Sequence, residues 1–144
     1  LLVEDSPEDF EATVRALRKA NLANPIVRCA DGDDALDYLN RRGEYVELEK
    51  SPRPTVILLD LNMPGTDGRE VLAEIKRSDR LRDIPVIVLT TSSDERDVES
   101  CYRAGANSYI CKPVDMDGFF GALKRLKEYW FEIVILPGPM AAKG

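Results

Sequence analysis

Five short aliphatic runs, each followed by a longer amphipathic stretch, decide what this chain can fold into. Residues 1–3, 26–30, 56–59, 86–89 and 108–111 are rich in Val, Ile and Leu and poor in polar alternation. That pattern suits strands buried on both faces. Between them, positions 7–21, 33–42, 69–78, 94–104 and 116–130 carry helical periodicity. Strand then helix, five times over, predicts an α/β domain on a parallel sheet. Local punctuation agrees. Ser6-Pro7-Glu8-Asp9 supplies an N-cap hydroxyl, a first-turn proline and acids that suit the helix dipole. Phe10, Val14, Leu17 and Ala20 follow the 3.6-residue period of a first helix. Ala104-Gly105-Ala106 ends the fourth, with Gly105 as its left-handed cap. Residues 43–54, GEYVELEKSPRP, form a longer proline-bearing loop before the third strand.

Bulk properties exclude several function classes. A chain of 144 residues fits one domain, and 44% hydrophobic with 32% charged residues is an ordinary soluble balance. No apolar run approaches the roughly 18 residues a membrane span needs. A net charge of −6 argues against non-specific nucleic-acid binding, which requires clustered Lys and Arg. Cys29, Cys101 and Cys111 are odd in number and widely spaced, making neither a disulfide framework nor a metal pair. A reducing cytoplasm is therefore expected, with Cys29 and Cys111 as small buried hydrophobes. No signal peptide opens the chain, and its first strand is expected to start upstream of Leu1. Histidine is absent. Ser-His-Asp catalysis and His-ligated zinc are thereby ruled out, so any chemistry must run on carboxylates, hydroxyls and lysines.

Ligands of open parallel sheets collect beyond the carboxyl ends of the strands. Those ends carry Glu4-Asp5 after the first strand, Asp60 after the third, Thr90-Thr91 after the fourth and Lys112-Pro113 after the fifth. If the first and third strands are neighbours, three carboxylates converge. Crowded carboxylates repel and raise one another's pKa unless a cation intervenes. Mg2+ takes oxygen ligands, and Lys112 can add an ammonium from a nearby strand. An ionised carboxylate held there is a plausible nucleophile toward phosphorus. A single acid after a strand is more often a cap or loop residue, and Asp67 with Gly68 reads that way. The whole set at successive strand ends does not read as coincidence.

The stretches LLVEDS, VILLDLNMPGTDG, IPVIVLTTS and AGANSYICKP together resemble a response-regulator receiver domain of two-component signalling. This resemblance implies a flavodoxin-like, doubly wound (βα)5 fold with strand order 2-1-3-4-5 over residues 1–130. It makes Asp60 the phosphoacceptor and Asp5 a direct Mg2+ ligand. Glu4, where many receivers have aspartate, would act through water, and Asn62 would give its backbone carbonyl. Thr90 and Lys112 would bind phosphoryl oxygens, with a cis Lys112–Pro113 bond turning the lysine inward. Thr90 and Tyr109 would form the switch pair. A sensor histidine kinase is the implied partner, and the chain itself is not a conventional enzyme. A phosphohydrolase that forms an aspartyl-phosphate needs a second acid two residues after the nucleophile, where Asn62 stands. A flavin-binding domain needs a phosphate-cradling loop where Glu4-Asp5 would repel phosphate. A degenerate scaffold receiver would not need the intact acid, threonine and lysine set.

Residues 131–144 read as a C-terminal extension, and the apolar segment around it holds Trp130, Phe131, Ile133, Val134, Ile135 and Leu136. So apolar a segment must be covered, either by the chain's own helices or by a second subunit. Together with the GEYVELEKSPRP loop, WFEIVILP resembles the stand-alone, phytochrome-associated response regulators. That likeness implies a homodimer, with a phytochrome-type kinase upstream and output through protein contacts.

Overall fold

Parallel pairing starts at β1 (Leu2–Val3), which lies between β2 (Arg28–Cys29) and β3 (Ile57–Leu59). β4 (Val86–Thr90) and β5 (Ser108–Cys111) continue beyond β3, giving the order β2-β1-β3-β4-β5. Among the described residues five α-helices connect and follow the strands: α1 (Pro7–Lys19), α2 (Gly32–Asn40), α3 (Gly68–Arg77), α4 (Glu95–Arg103) and α5 (Met116–Glu128). The expected flavodoxin-like (βα)5 architecture and strand order are thus present. This computed structural model describes residues 1–47 and 51–137. Part of the 43–54 loop and the end of the C-terminal extension lie outside the described residues.

Alternation along the strands divides the core into two layers. Val3, Ile57, Leu59, Val86 and Val88 face α2, α3 and α4, meeting Ala35, Leu39, Val71, Leu72, Ile75 and Cys101. Leu2, Leu58, Ile87 and Leu89 face the opposite way, onto Ala16 and Leu17 of α1 and Phe119, Leu123 and Leu126 of α5. Each such aliphatic side chain, fully buried, contributes about 1.5–3 kcal/mol relative to exposure. Both faces of the sheet are covered, so the strands read as continuously apolar.

Helix starts follow the sequence closely. Ser6 caps α1 by accepting from the Asp9 amide at 3.2 Å. Asp31, Asp67, Asp94 and Asp115 cap the other four helices in the same manner. Gly105 follows α4 with φ of +108°, as a left-handed cap requires. In α1 the buried positions are Thr13, Ala16 and Leu17. Phe10 and Val14 sit half-buried at the rim. β2 is shorter than the apolar run 26–30, because its only ladder is Leu2↔Arg28 and Val3↔Cys29 with a two-residue β1.

Two expectations fail. Cys29 is fully buried, but Cys111 is exposed. It closes β5, an edge strand whose other residues are all half-exposed. The Lys112–Pro113 bond is trans, as are all described peptide bonds. Trans is the lower-energy form of an X–Pro amide by about 0.5–1 kcal/mol. The lysine's long stem reaches the strand ends without the cis form.

After Glu128 the chain makes a π-helical turn, Tyr129–Ile133. Trp130, Phe131 and Leu136 pack against the layer formed by α1 and α5. Val134 is half-buried, while Ile133 is 69% and Ile135 96% exposed. The extension is therefore anchored on its own domain and still presents apolar side chains outward. No described helix is long and apolar enough to cross a membrane.

Candidate functional site

Strand order brings the chemistry together. β1 and β3 are neighbours in the register Val3↔Leu59, so the residues that follow, Glu4-Asp5 and Asp60, emerge side by side. One carboxylate oxygen from each of Glu4, Asp5 and Asp60 lies within 4.8 Å of the others. Glu4 is 2% exposed and Asp60 9%, so this cluster sits in the mouth of the fold rather than on a solvated rim.

Neighbouring backbone holds the cluster in place. The Asp60 amide donates to the Val3 carbonyl at 3.1 Å. Arg28, at the start of β2, donates from Nε to the Glu4 carbonyl at 3.2 Å and from Nη2 to the Asp5 carbonyl at 3.1 Å. Its guanidinium lies 5.0 Å from the centroid of the Phe10 ring. On the far side of Asp60, α3 begins very close. A Cβ on Gly68 would meet the Asp60 carbonyl oxygen at 2.2 Å, so only glycine lets the helix start there. The Gly68 amide donates to the Leu61 carbonyl at 3.0 Å and closes that turn.

Lys112 provides the positive charge. Its Nζ donates to Glu4 Oε1 at 2.6 Å and to Asp9 Oδ2 at 3.3 Å, and lies 3.8 Å from Asp60 Oδ2. The lysine side chain is only 7% exposed. Burial alone would lower its pKa, but the Glu4 hydrogen bond and the charges of Asp60, Glu4 and Asp9 outweigh it and leave the pKa raised. Burial pushes the Glu4 carboxyl up to about 7, opposed by the Lys112 hydrogen bond and reinforced by the Asp60 charge. One ammonium thus meets three carboxylates, and Asp5 adds a fourth to the cluster. That is an all-oxygen donor set with surplus negative charge, which fits a hard divalent cation.

Thr90 ends β4, and its carbonyl accepts from the Lys112 amide at 2.7 Å. The residue is completely buried, and its Oγ1 has no hydrogen-bond partner among the described residues. Leaving a buried hydroxyl unpaired costs about 1–3 kcal/mol, so a ligand oxygen delivered there would be well received. Asn62 is exposed just beyond Asp60, and its amide approaches Asp60 Oδ1 at 3.5 Å. Tyr109, paired in register with Val88, is half-buried and donates its hydroxyl to the Ser92 carbonyl at 2.8 Å. Its ring is placed beside the loop that follows Thr90.

In the sequence Asp9 reads only as an acid suited to the helix dipole, yet it is also a Lys112 partner. Arg28 carries no mark there of its bonds to the Glu4 and Asp5 carbonyls. Neither role has a local signal, since Asp9 and Lys112 are 103 residues apart and Arg28 acts on backbone carbonyls.

Residues 1–124 match the family model of the response regulator receiver domain. Response regulator Rcp1 of Synechocystis sp. (strain PCC 6803) is 43% identical over 137 residues, covering 95% of this chain and 91% of the relative. The crystal structure of the Mn2+-bound form of Rcp1 superposes with a TM-score of 0.88 at 42% identity, covering 95% of this chain and 96% of that one. That of the phosphorylated cyanobacterial phytochrome response regulator RcpA gives 0.89 at 41% identity, with the same coverage.

Proposed function

The chain belongs to the response regulator receiver domain family, and on that premise we propose that it accepts a phosphoryl group on Asp60 from a sensor histidine kinase. The observation that carries this reading is the convergence of Glu4, Asp5 and Asp60 with the Lys112 ammonium at the carboxyl ends of β1, β3 and β5. A carboxylate oxygen of Asp60 attacks phosphorus, a P–O bond forms, and the P–N bond to the kinase histidine breaks with its electron pair leaving on the imidazole nitrogen. The kinase supplies the histidine that this chain lacks. A divalent cation such as Mg2+, when bound, would supply positive charge against the transferring group. Glu4, Asp5, Asp60 and the Asn62 carbonyl would hold it.

Lys112 already lies 3.8 Å from Asp60 and transfers part of its pairing from Glu4 to a phosphoryl oxygen. The buried Thr90 hydroxyl gains the acceptor it lacks. Modification adds roughly −1.5 to −2 of charge at Asp60. The movement of Thr90 toward it alters the packing of Tyr109, so that the switch is a population shift between two arrangements. Asn62 cannot serve as the acid–base of a phosphohydrolase, so the chain stores the phosphoryl group as a signal rather than turning over a substrate.

The likeness to Rcp1 and RcpA supports a phytochrome-type kinase as the donor, acting in the cytoplasm. Residues 1–130 form the receiver and 131–144 an extension that contributes to a homodimer through Ile133 and Ile135. Output then runs through protein contacts, without nucleic acid. With Mg2+ and acetyl phosphate, one acid-stable, base-labile phosphoryl group per chain is expected. Asp60→Asn should abolish it, and a label that persists in that variant would overturn the assignment.

A further inference from the structure

Arg69 is the second residue of α3, reached from Asp60 through the loop 61–67. Its Nε donates to Asp97 Oδ1 at 2.9 Å, with Nη2 2.8 Å from the same oxygen. Nη1 grips Asp67, the N-cap of its own helix, at 3.0 and 3.1 Å. Asp97 lies in the first turn of α4 and uses its other oxygen to accept from Ser92 Oγ at 2.6 Å. The Ser92 carbonyl in turn accepts the Tyr109 hydroxyl at 2.8 Å. These contacts form an unbroken path from the loop after Asp60 to the switch aromatic. It runs past Ser92, two residues beyond Thr90; the Thr90 hydroxyl has no partner among the described residues.

We infer that Arg69 is a positioning residue of the switch: by clasping Asp97 it fixes the β4–α4 loop, and with it the carbonyl on which Tyr109 rests. This inference depends on the reading of Asp60 as phosphoacceptor only for what sets the switch in motion. The resting geometry stands without it. Arginine suits the task because its planar fork holds two carboxylates in fixed directions, which a lysine ammonium does not. The bridge is partly shielded, with the two side chains 36% and 22% exposed, so its effect is modest. Neutralising Arg69 frees Asp97 from its anchor and neutralising Asp97 weakens the hold on Ser92 itself, so in both cases the acceptor of Tyr109 is less firmly fixed. The equilibrium constant for seating Tyr109 on Ser92 should fall by roughly two- to fivefold, the range expected of a partly exposed ion pair.

The test uses the full chain with 13C-labelled tyrosine, with the Tyr109 signal assigned by Tyr109→Phe. Arg69→Gln and Asp97→Asn should move the resting Tyr109 signal in the same direction. The double variant should move it no further than Asp97→Asn alone, because that change already removes the clasp. Arg69→Lys should restore part of the shift, whereas a general loss of stability would not be graded in this way. Additive effects, or an unmoved Tyr109 signal in variants that still unfold in one cooperative transition, overturn the inference. A second arm adds acetyl phosphate and Mg2+. If wild-type Asp60 is labelled and Tyr109 responds, the response should shrink in Arg69→Gln, and an undiminished response overturns the clasp alone. Failure of wild type to take the label overturns the phosphoacceptor reading and leaves the resting-state result to decide the clasp.

Discussion

Lys112 illustrates how one residue is held ready between two commitments. At rest its shortest contact is to Glu4, a carboxylate buried almost completely, and Asp60 lies 1.2 Å further away (3.8 against 2.6 Å). Breaking a buried pair outright is costly, but sliding along a row of carboxylates never leaves the ammonium unpaired. A shift of Lys112 from Glu4 toward Asp60 would therefore cost little. Asp97 works differently, as a fixed anchor. The Ser92 hydrogen bond, then the Arg69 hydrogen bond and charge, hold its carboxyl below the usual carboxylate range. A depressed folded-state pKa contributes stability that is fully present above about 3.9, the unfolded value, and is lost as pH falls through the folded one. The melting temperatures of wild type and Asp97→Asn should therefore differ by a constant amount, at most about 3 °C, from pH 8 to pH 5. The gap should close below about pH 4. A gap that already closes near pH 6 would show that another group governs it.

At the level of elements, Gly68 shows where local and global constraints coincide. The helix α3 starts against the backbone of Asp60, and an added Cβ would also meet the Leu61 Cα at 2.6 Å. Both obstacles are main chain, so neither can swing aside. Gly68→Ala should cost about 3 kcal/mol, at the upper end of overpacking effects, and should displace Asp60 from its neighbours. Urea unfolding reads the first effect and acetyl phosphate labelling the second. Normal stability with normal labelling would show that the helix start yields easily. Much at this scale was legible in the sequence, because strand runs, N-caps and the Gly105 cap are local signals. The placement of the acids, Thr90 and Lys112 was legible too, since each stands at or just beyond the end of a strand. Exposure of Cys111 was not, because edge position is a property of the assembled sheet. Nor was the Arg69–Asp97 bridge, whose partners are 28 residues apart and meet only when α3 and α4 lie on one face.

For the whole molecule, the open question in the sequence was whether the apolar tail covers its own domain or another. It does part of the first and leaves material for the second. Trp130, Phe131 and Leu136 are spent on the α1 and α5 layer, which orders the segment before any partner arrives. Ile133 and Ile135 are left facing solvent on that ordered segment, with Tyr129 52% exposed nearby. Ordering in advance lowers the entropy cost of association, so a modest apolar patch can support a two-fold contact. The two groups of side chains then make separable predictions. Ile133→Glu with Ile135→Glu should convert a dimer to a monomer in sedimentation experiments while leaving the melting temperature within about 2 °C, because these side chains touch little of their own domain. Phe131→Ala should instead lower stability by roughly 1–3 kcal/mol, because a half-buried aromatic is lost from the α1 and α5 layer. A parent chain that sediments as a monomer overturns the dimer itself, whereas a double glutamate variant that stays dimeric shows that the exposed isoleucines do not form the contact and makes the face of α4, β5 and α5 the surface to vary next.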